Sequence, residues 1–346
     1  MGHARIQEVC DMDRLTEGSI VVAGGGSWGT ALAHVLAHAG HSPTLLLRDA
    51  GVAAHIAAKH ENPRYLPGRT IHPRVGATVD SSVLRGCSLL VLAVPCQQQR
   101  DFLEGIRSLM PGGCIVVNAA KGLERGTCLP MSKVAAEALP GVGSRYAVIS
   151  GPSFAAEVME GLPTAVVLGC ADESLGALLR DVFSTPFFRC YSNADVAGVE
   201  TGGALKNVMA IAAGVCDGLG FGHNSRAGLI TRGLAELKRI GKKLGAEPAT
   251  FMGLSGLGDL VLTCTGDLSR NRQVGLRLGR GEPLDEIIQS LGMVAEGVET
   301  ARATRELAHR LGVDAPVTDA VCAIINGDTA PHDAVAELMR RPLRRE

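Results

Sequence analysis

Aromatic residues make up only 3% of this 346-residue chain, with one Trp, three Tyr and seven Phe. That is too few for the stacking platforms that hold single-stranded bases. Charge of one sign is also missing. Thirty-four Lys+Arg stand against 35 Asp+Glu, a formal net charge of −1, so the basic excess of a nucleic-acid-binding protein is absent. No apolar run approaches the ~20 residues a membrane-spanning helix needs, and the polar first 17 residues carry no apolar core of a secretory signal. The ten cysteines include no C-x-x-C pair, which points to reduced, buried thiols of a cytosolic protein rather than to zinc or disulfides. The pair His34 and His38 has a spacing that could hold a metal, but no acid or cysteine of that helix completes a set. We expect no metal there and read the pair as a polar helix face.

What is abundant is glycine, 44 residues spread without a Gly-X-Y period. They read as turns, caps and close approaches. At about 100–200 residues per domain, the length suggests two domains or three. The first half alternates short β-type runs (19–23, 44–47, 88–94, 114–118, 146–150, 165–168, 187–191) with helical stretches (27–39, 97–110, 129–139, 173–183). Residues 61–73 hold three prolines and read as a loop. Such alternation predicts a parallel sheet covered on both faces. After Tyr191, strand signals nearly vanish. Helical spacing dominates at 194–216, 226–244, 283–291, 299–311, 317–326 and 333–339. The expectation is therefore α/β followed by all-α: an arm over 1–18, a Rossmann-type dinucleotide-binding domain over 19–195, and a helical substrate-binding and dimerisation domain over 196–346.

Gly24-Gly25-Gly26-Ser27-Trp28-Gly29 fits G-x-G-x-x-G, follows one predicted strand and opens a predicted helix. In that context Gly24 permits a tight turn, Gly26 a close approach of a pyrophosphate, and Gly29 close helix–strand packing. The helix N-terminus offers the anion free N–H groups and a positive dipole end. The second strand runs into Arg48 and then Asp49. An arginine there suits the 2′-phosphate of NADP(H), so NADP(H) is favoured, while Asp49 keeps NAD(H) open. Further on, Lys206 stands in an otherwise small, apolar helical run, Gly203-Ala204-Leu205-Lys206-Asn207-Val208. A lysine there is costly unless it faces partners. Its chemistry would be to give a proton to a carbonyl oxygen and take it back in reverse.

Together these motifs resemble the NAD(P)-dependent glycerol-3-phosphate dehydrogenases, in their bacterial branch. The resemblance also rests on Asn62-Pro63-Arg64-Tyr65-Leu66-Pro67-Gly68, Lys121-Gly122-Leu123-Glu124, Gly151-Pro152-Ser153-Phe154-Ala155-Ala156-Glu157-Val158 and Gly256-Leu257-Gly258-Asp259-Leu260. It continues through Thr263-Cys264-Thr265, Ser269-Arg270-Asn271-Arg272 and Ala295-Glu296-Gly297-Val298, covering about residues 20–330 in order. The family implies reversible reduction of dihydroxyacetone phosphate to sn-glycerol 3-phosphate for phospholipid synthesis, in a cytoplasmic homodimer.

Carried over position by position, Lys206 matches the catalytic lysine, with Asn207 beside it, and Lys121 a lysine reaching substrate and cofactor. Asp259 and Thr263 match the network around substrate and lysine. Ser269, Arg270 and Asn271 match the grip on the phosphate and glycerol oxygens, and Gly151 and Ser153 match further substrate positions. Gly24, Gly26, Ser27, Trp28, Gly29, Arg48, Lys121, Ala155, Arg270, Val294 and Glu296 match cofactor contacts. Asp259 could instead be a helix N-cap after Gly258. Arg302, Arg305 and Arg310 read as a solvated helix face. Two other functions remain open at this point: a reductase of 3-hydroxy acids or a sugar acid, and a sensor that binds the dinucleotide without catalysis.

Overall fold

The computed structural model describes residues 18–291 and 296–342; the expected arm, save Gly18, lies outside them. By contacts the chain divides into two compact units. The first comprises the residues up to Lys121 together with Pro130–Glu200, and the second Gly122–Leu129 with the residues from Thr201 onward.

The first unit is built on an eight-stranded sheet. Its elements run β1 (Ser19–Ala23), α1 (Ser27–His38), β2 (Thr44–Leu46), α2 (Ala50–Lys59), β3 (Glu61–Asn62), β4 (Leu66–Thr70), β5 (Gly76–Thr78), β6 (Cys87–Leu92), α3 (Cys96–Ile106), β7 (Ile115–Asn118), α4 (Met131–Ala138), β8 (Tyr146–Ser150), α5 (Ala155–Met159), β9 (Thr164–Cys170), α6 (Glu173–Phe183) and β10 (Phe188–Asn193). The strand order is β10-β9-β8-β7-β6-β1-β2-β5. Strands β1, β6 and β7 read as nearly unbroken apolar runs because both faces of a parallel sheet are covered; Val21, Val22, Leu89, Leu90, Val91 and Val117 are fully buried. From β1 the chain moves first to β2 on one side and later returns to β6 on the other. That reversal places a crevice at the carboxyl ends of β1 and β6, where open α/β sheets bind ligands.

Two expectations change here. The sheet is not wholly parallel, because β8 and β9 pair antiparallel. The only helix between them, α5, has five residues. At about 1.5 Å per residue it cannot return along a strand rising about 3.3 Å per residue. Residues 61–73 are also not merely a loop: β3 and β4 form a small antiparallel ribbon. Helix α2, which Asp49 caps by accepting from Val52 N at 3.1 Å, and the short strand β5 were not expected from local spacing.

The second unit is helical: the greater part of α7 (Val196–Gly218), then α8 (His223–Lys243), α9 (Asp259–Thr265), α10 (Arg270–Gly279), α11 (Leu284–Leu291), α12 (Glu296–Arg310), α13 (Pro316–Asn326) and α14 (Pro331–Met339). From Thr201 to Cys216, α7 is buried on every side. Its small residues let neighbours approach to the backbone. A Cβ on Gly214 would sit 2.0 Å from Arg272 O, and one on Gly275 of α10 would sit 1.9 Å from Ile211 O. Glu236 of α8, 1% exposed, caps α13 across the unit, accepting from Val317 N at 2.6 Å and from Thr318 N and Oγ1 at 3.2 and 3.0 Å. Burial pushes its carboxyl up to about 7. The segment 122–129 joins this unit through Arg310, whose guanidinium donates to Thr127 O at 3.2 Å and Gly126 O at 3.3 Å. Helices α9 and α10 have no counterpart among the helices expected from spacing.

Candidate functional site

In the first unit the glycine loop is held by its backbone. Gly24 has φ +113°, a left-handed value that suits glycine, and a Cβ there would lie 2.5 Å from Ala93 O. Its N–H donates to Leu46 O at 2.9 Å. Gly29 packs α1 onto the loop, since a Cβ would fall 1.9 Å from Gly24 O. Gly26 differs from both. It is the N-cap of α1, with no side-chain cap, and a Cβ there would meet nothing within 4 Å. An uncapped helix N-terminus with open space beside its N-cap residue suits a pyrophosphate. Trp28 has its buried Nε1 without a partner among the described residues. These residues fit a dinucleotide.

The sequence reading did not identify Asn62, which anchors this loop. It is fully buried; its Nδ2 donates to Gly25 O and Thr30 Oγ1, both at 2.9 Å, and its Oδ1 accepts from Tyr65 N at 3.3 Å. Ser27 Oγ donates to Tyr65 O at 3.1 Å. The β3–β4 ribbon and the glycine loop are therefore stitched together. The signal available was an asparagine in a proline-rich stretch, which predicts a turn equally well.

Arg48 is exposed beyond the end of β2 and makes no ion pair among the described residues. Asp49 is already engaged by its N-cap bond and by Arg64 Nη1 at 3.6 Å. Lys121 and Ser153 converge on one carbonyl: Lys121 Nζ donates to Gly151 O at 3.1 Å and Ser153 Oγ at 3.0 Å. Gly151, with φ +139°, presents that oxygen from a position where a Cβ would meet Val166 Cα at 2.9 Å. Ala155 begins α5 close by in sequence.

In the second unit the chemistry is carried by side chains. Lys206, 7% exposed on α7, donates from Nζ to Asp259 Oδ1 in a short bond and to Thr263 Oγ1 at 2.9 Å. Asp259 is fully buried in the first turn of α9, after a π-helical turn over Leu254–Gly258. Such turns are uncommon and often accompany functional sites. Asp259 does not cap α9; its carboxylate is spent on the lysine. Thr263 Oγ1 donates to Asp259 O at 2.6 Å, so its lone pairs face Nζ. A buried carboxylate and ammonium compensate one another's desolvation only when paired and hydrogen-bonded in this way. Neighbouring Cys264 is pushed up to about 12 by burial, with the Lys206 charge opposing, and stays a thiol.

Asn207 is buried beside Lys206. Ser269 is the N-cap of α10 and accepts from Arg272 N at 3.2 Å. Arg270 is exposed in the first turn of α10. Asn271 Oδ1 accepts from Gly297 N at 3.1 Å. Glu296 opens α12. Val294 lies outside the described residues.

Two surface expectations also meet their structure. Of the His34–His38 pair, only His38 is exposed. His34 is buried, its Nδ1 accepts from His72 N at 3.1 Å, and its ring centroid lies 4.5 Å from that of His38. Burial first, then the His38 and His72 charges, lower it to about 4. Arg302, Arg305 and Arg310 pair with Glu299, Asp319 and Glu306 respectively. Among the described residues no group of three or more His, Cys, Asp or Glu could hold a metal ion, and no helix is long and apolar enough to cross a membrane.

A parallel-dominated sheet with a glycine loop at a helix N-terminus, accompanied by a helical unit carrying a buried lysine, is the build of a dinucleotide-dependent oxidoreductase. The family models narrow this. Residues 19–176 match the NAD-dependent glycerol-3-phosphate dehydrogenase N-terminus and residues 195–336 its C-terminus. A protein of Desulfovibrio desulfuricans named glycerol-3-phosphate dehydrogenase [NAD(P)+] is 61% identical, over 95% of this chain and 98% of its own. One of the same name from Lawsonia intracellularis is 54% identical, over 95% of each. The crystal structure of glycerol-3-phosphate dehydrogenase from Coxiella burnetii superposes with a TM-score of 0.89 at 37% identity, covering 94% of this chain and 99% of that one. The chain belongs to the NAD-dependent glycerol-3-phosphate dehydrogenase family.

Proposed function

We propose that this protein reduces dihydroxyacetone phosphate to sn-glycerol 3-phosphate, reversibly, at the expense of NAD(P)H. Its product would feed glycerophospholipid synthesis, and the enzyme would work as a cytoplasmic homodimer. The observation that carries the reading is the buried Lys206–Asp259–Thr263 cluster in a chain of this family.

The coenzyme, when bound, supplies the hydride. Everything else falls to side chains and backbone. The loop 24–29 and the N-terminus of α1 hold the pyrophosphate. Lys206 Nζ gives a proton to the carbonyl oxygen as that oxygen gains negative charge, and recovers one afterwards; in the reverse direction it accepts the hydroxyl proton. Asp259 keeps the amine protonated between turnovers and, with Thr263, fixes which way Nζ points. The charge-bearing fork of Arg270 and the amide N–H donors of Asn271 grip the non-reacting phosphate, whose binding orients the carbonyl. Lys121, held by Gly151 O, serves substrate and coenzyme together. Arg48 takes the 2′-phosphate of NADP(H). The engagement of Asp49 favours this over NAD(H), because the acid that would accept from a ribose hydroxyl already has two partners.

The test is absorbance at 340 nm with dihydroxyacetone phosphate and NADPH or NADH, beside dihydroxyacetone itself. We expect kcat/KM for the phosphate ester to exceed that for dihydroxyacetone by at least ~100-fold, since a site built for a phosphate leaves charged groups unpaired without it. NADPH should be the better coenzyme. Equal use of the two ketones would contradict the substrate assignment and favour a reductase of another hydroxy compound.

A further inference from the structure

We propose that Arg64 is a second cation for the coenzyme's 2′-phosphate and thereby sets the preference for NADP(H); this rests on the reading that the enzyme takes NADP(H). Arg64 lies in the connection between β3 and β4, far from Arg48 in sequence, yet its Nη1 is 3.6 Å from Asp49 Oδ2, one residue beyond Arg48. Both partners of that ion pair are half exposed. A pair of that kind contributes little on its own, so the guanidinium can turn to a stronger acceptor without large loss. A phosphate dianion is such an acceptor, because guanidinium–phosphate bonds are charge-assisted and can be bidentate.

Arg64 is nonetheless well placed. Its guanidinium carbon lies 5.4 Å from the centroid of the Tyr65 ring. Residues flanking it are tied to the glycine loop and the helix it opens, Asn62 by its bonds to Gly25 O and Thr30 Oγ1 and Tyr65 through the Ser27 hydroxyl. The ribbon therefore delivers a positive charge to the end of β2 in fixed register with the loop. The charges there are Arg48, Asp49 and Arg64. With Arg64 the local sum is positive and Asp49 is neutralised; without it, Arg48 and Asp49 cancel and the carboxylate is released. The second state no longer attracts a phosphate and offers an acceptor to a bare ribose.

The experiment titrates the full-length wild-type protein, Arg64→Ala and Arg64→Lys with NADP+ and with NAD+, following the fluorescence of the single tryptophan, Trp28 in the glycine loop. Arg64→Ala should raise Kd for NADP+ by roughly 10-fold or more, and leave Kd for NAD+ unchanged or lower. Arg64→Lys should recover part of the loss. Adenosine 2′,5′-bisphosphate should compete less well against Arg64→Ala, which ties the effect to the 2′-phosphate. If the wild type prefers NADP+ and Arg64→Ala keeps the same ratio of the two Kd values, the role of Arg64 is overturned alone. If the wild type binds NAD+ more tightly, the NADP(H) reading falls and the Arg64 proposal with it.

Discussion

The two units solve opposite problems. In the first, side chains are removed: a Cβ on Gly24 or Gly29 would strike backbone, and Gly26 leaves open space at the N-terminus of α1; the groups we propose there for an anion are N–H donors, which cannot titrate. In the second, where we propose that a proton moves, side chains are buried: Lys206, Asp259 and Thr263 are ionisable or polar groups kept from water. A backbone site tolerates no added carbon. A buried side-chain site tolerates no missing partner. The difference predicts how each should fail.

The largest effect on stability belongs to the second unit. Lys206→Ala strands the Asp259 carboxylate in the interior, which should cost about 3–5 kcal/mol in urea unfolding. Adding Asp259→Asn should restore much of it, because an amide can be buried without a counter-charge. A double variant no more stable than the single would mean the carboxylate has partners that outweigh the lysine. The glycine pair sharpens the other side of the comparison. Gly29→Ala forces a Cβ towards Gly24 O and should cost roughly 1–3 kcal/mol. Gly26→Ala meets nothing in the chain, so its melting temperature should stay put while its coenzyme Kd rises by ~10-fold or more. Equal melting losses in the two would remove the distinction between a packing glycine and a binding one.

How much of this was legible beforehand follows the same division. The glycine loop lies in six consecutive residues between two regular elements, so a local pattern finds it. Strands β1 and β8 and helix α6 were readable for the same reason: apolar runs and helical spacing are local. The partner of Lys206 stands 53 residues away on α9, and no periodicity joins them; only the family resemblance singled out Asp259 and Thr263. Helix α9 escaped because it has only seven residues, and α10 because its first four, Arg270-Asn271-Arg272-Gln273, are all polar. Asn62 escaped because its task is set by tertiary contacts that an isolated asparagine does not announce. The antiparallel β8–β9 pair escaped because strand direction depends on where the chain can travel between strands, not on what the strands are made of.

A further effect is a pH dependence within the first unit. His34 is held neutral, its pKa lowered to about 4 from 6.5, mainly by burial. The unfolded chain therefore takes up this proton first as pH falls. The contribution is complete above about 6.5 and is lost on acidification towards 4, on the order of 2 kcal/mol. His34→Asn keeps an acceptor for His72 N and cannot titrate. Its melting temperature should fall less than that of the wild type between pH 7.5 and pH 4.5, by roughly 3–6 °C. Parallel curves would show that His34 does not carry the acid sensitivity.

The most direct measurement of the central claim is turnover by Lys206→Ala at 340 nm, with coenzyme binding followed in parallel through Trp28. Proton donation by the Lys206 amine predicts coenzyme affinity within about twofold of wild type and kcat lowered by at least ~10²–10⁴-fold. Turnover within a few-fold of wild type, in a variant shown to be folded, would contradict it.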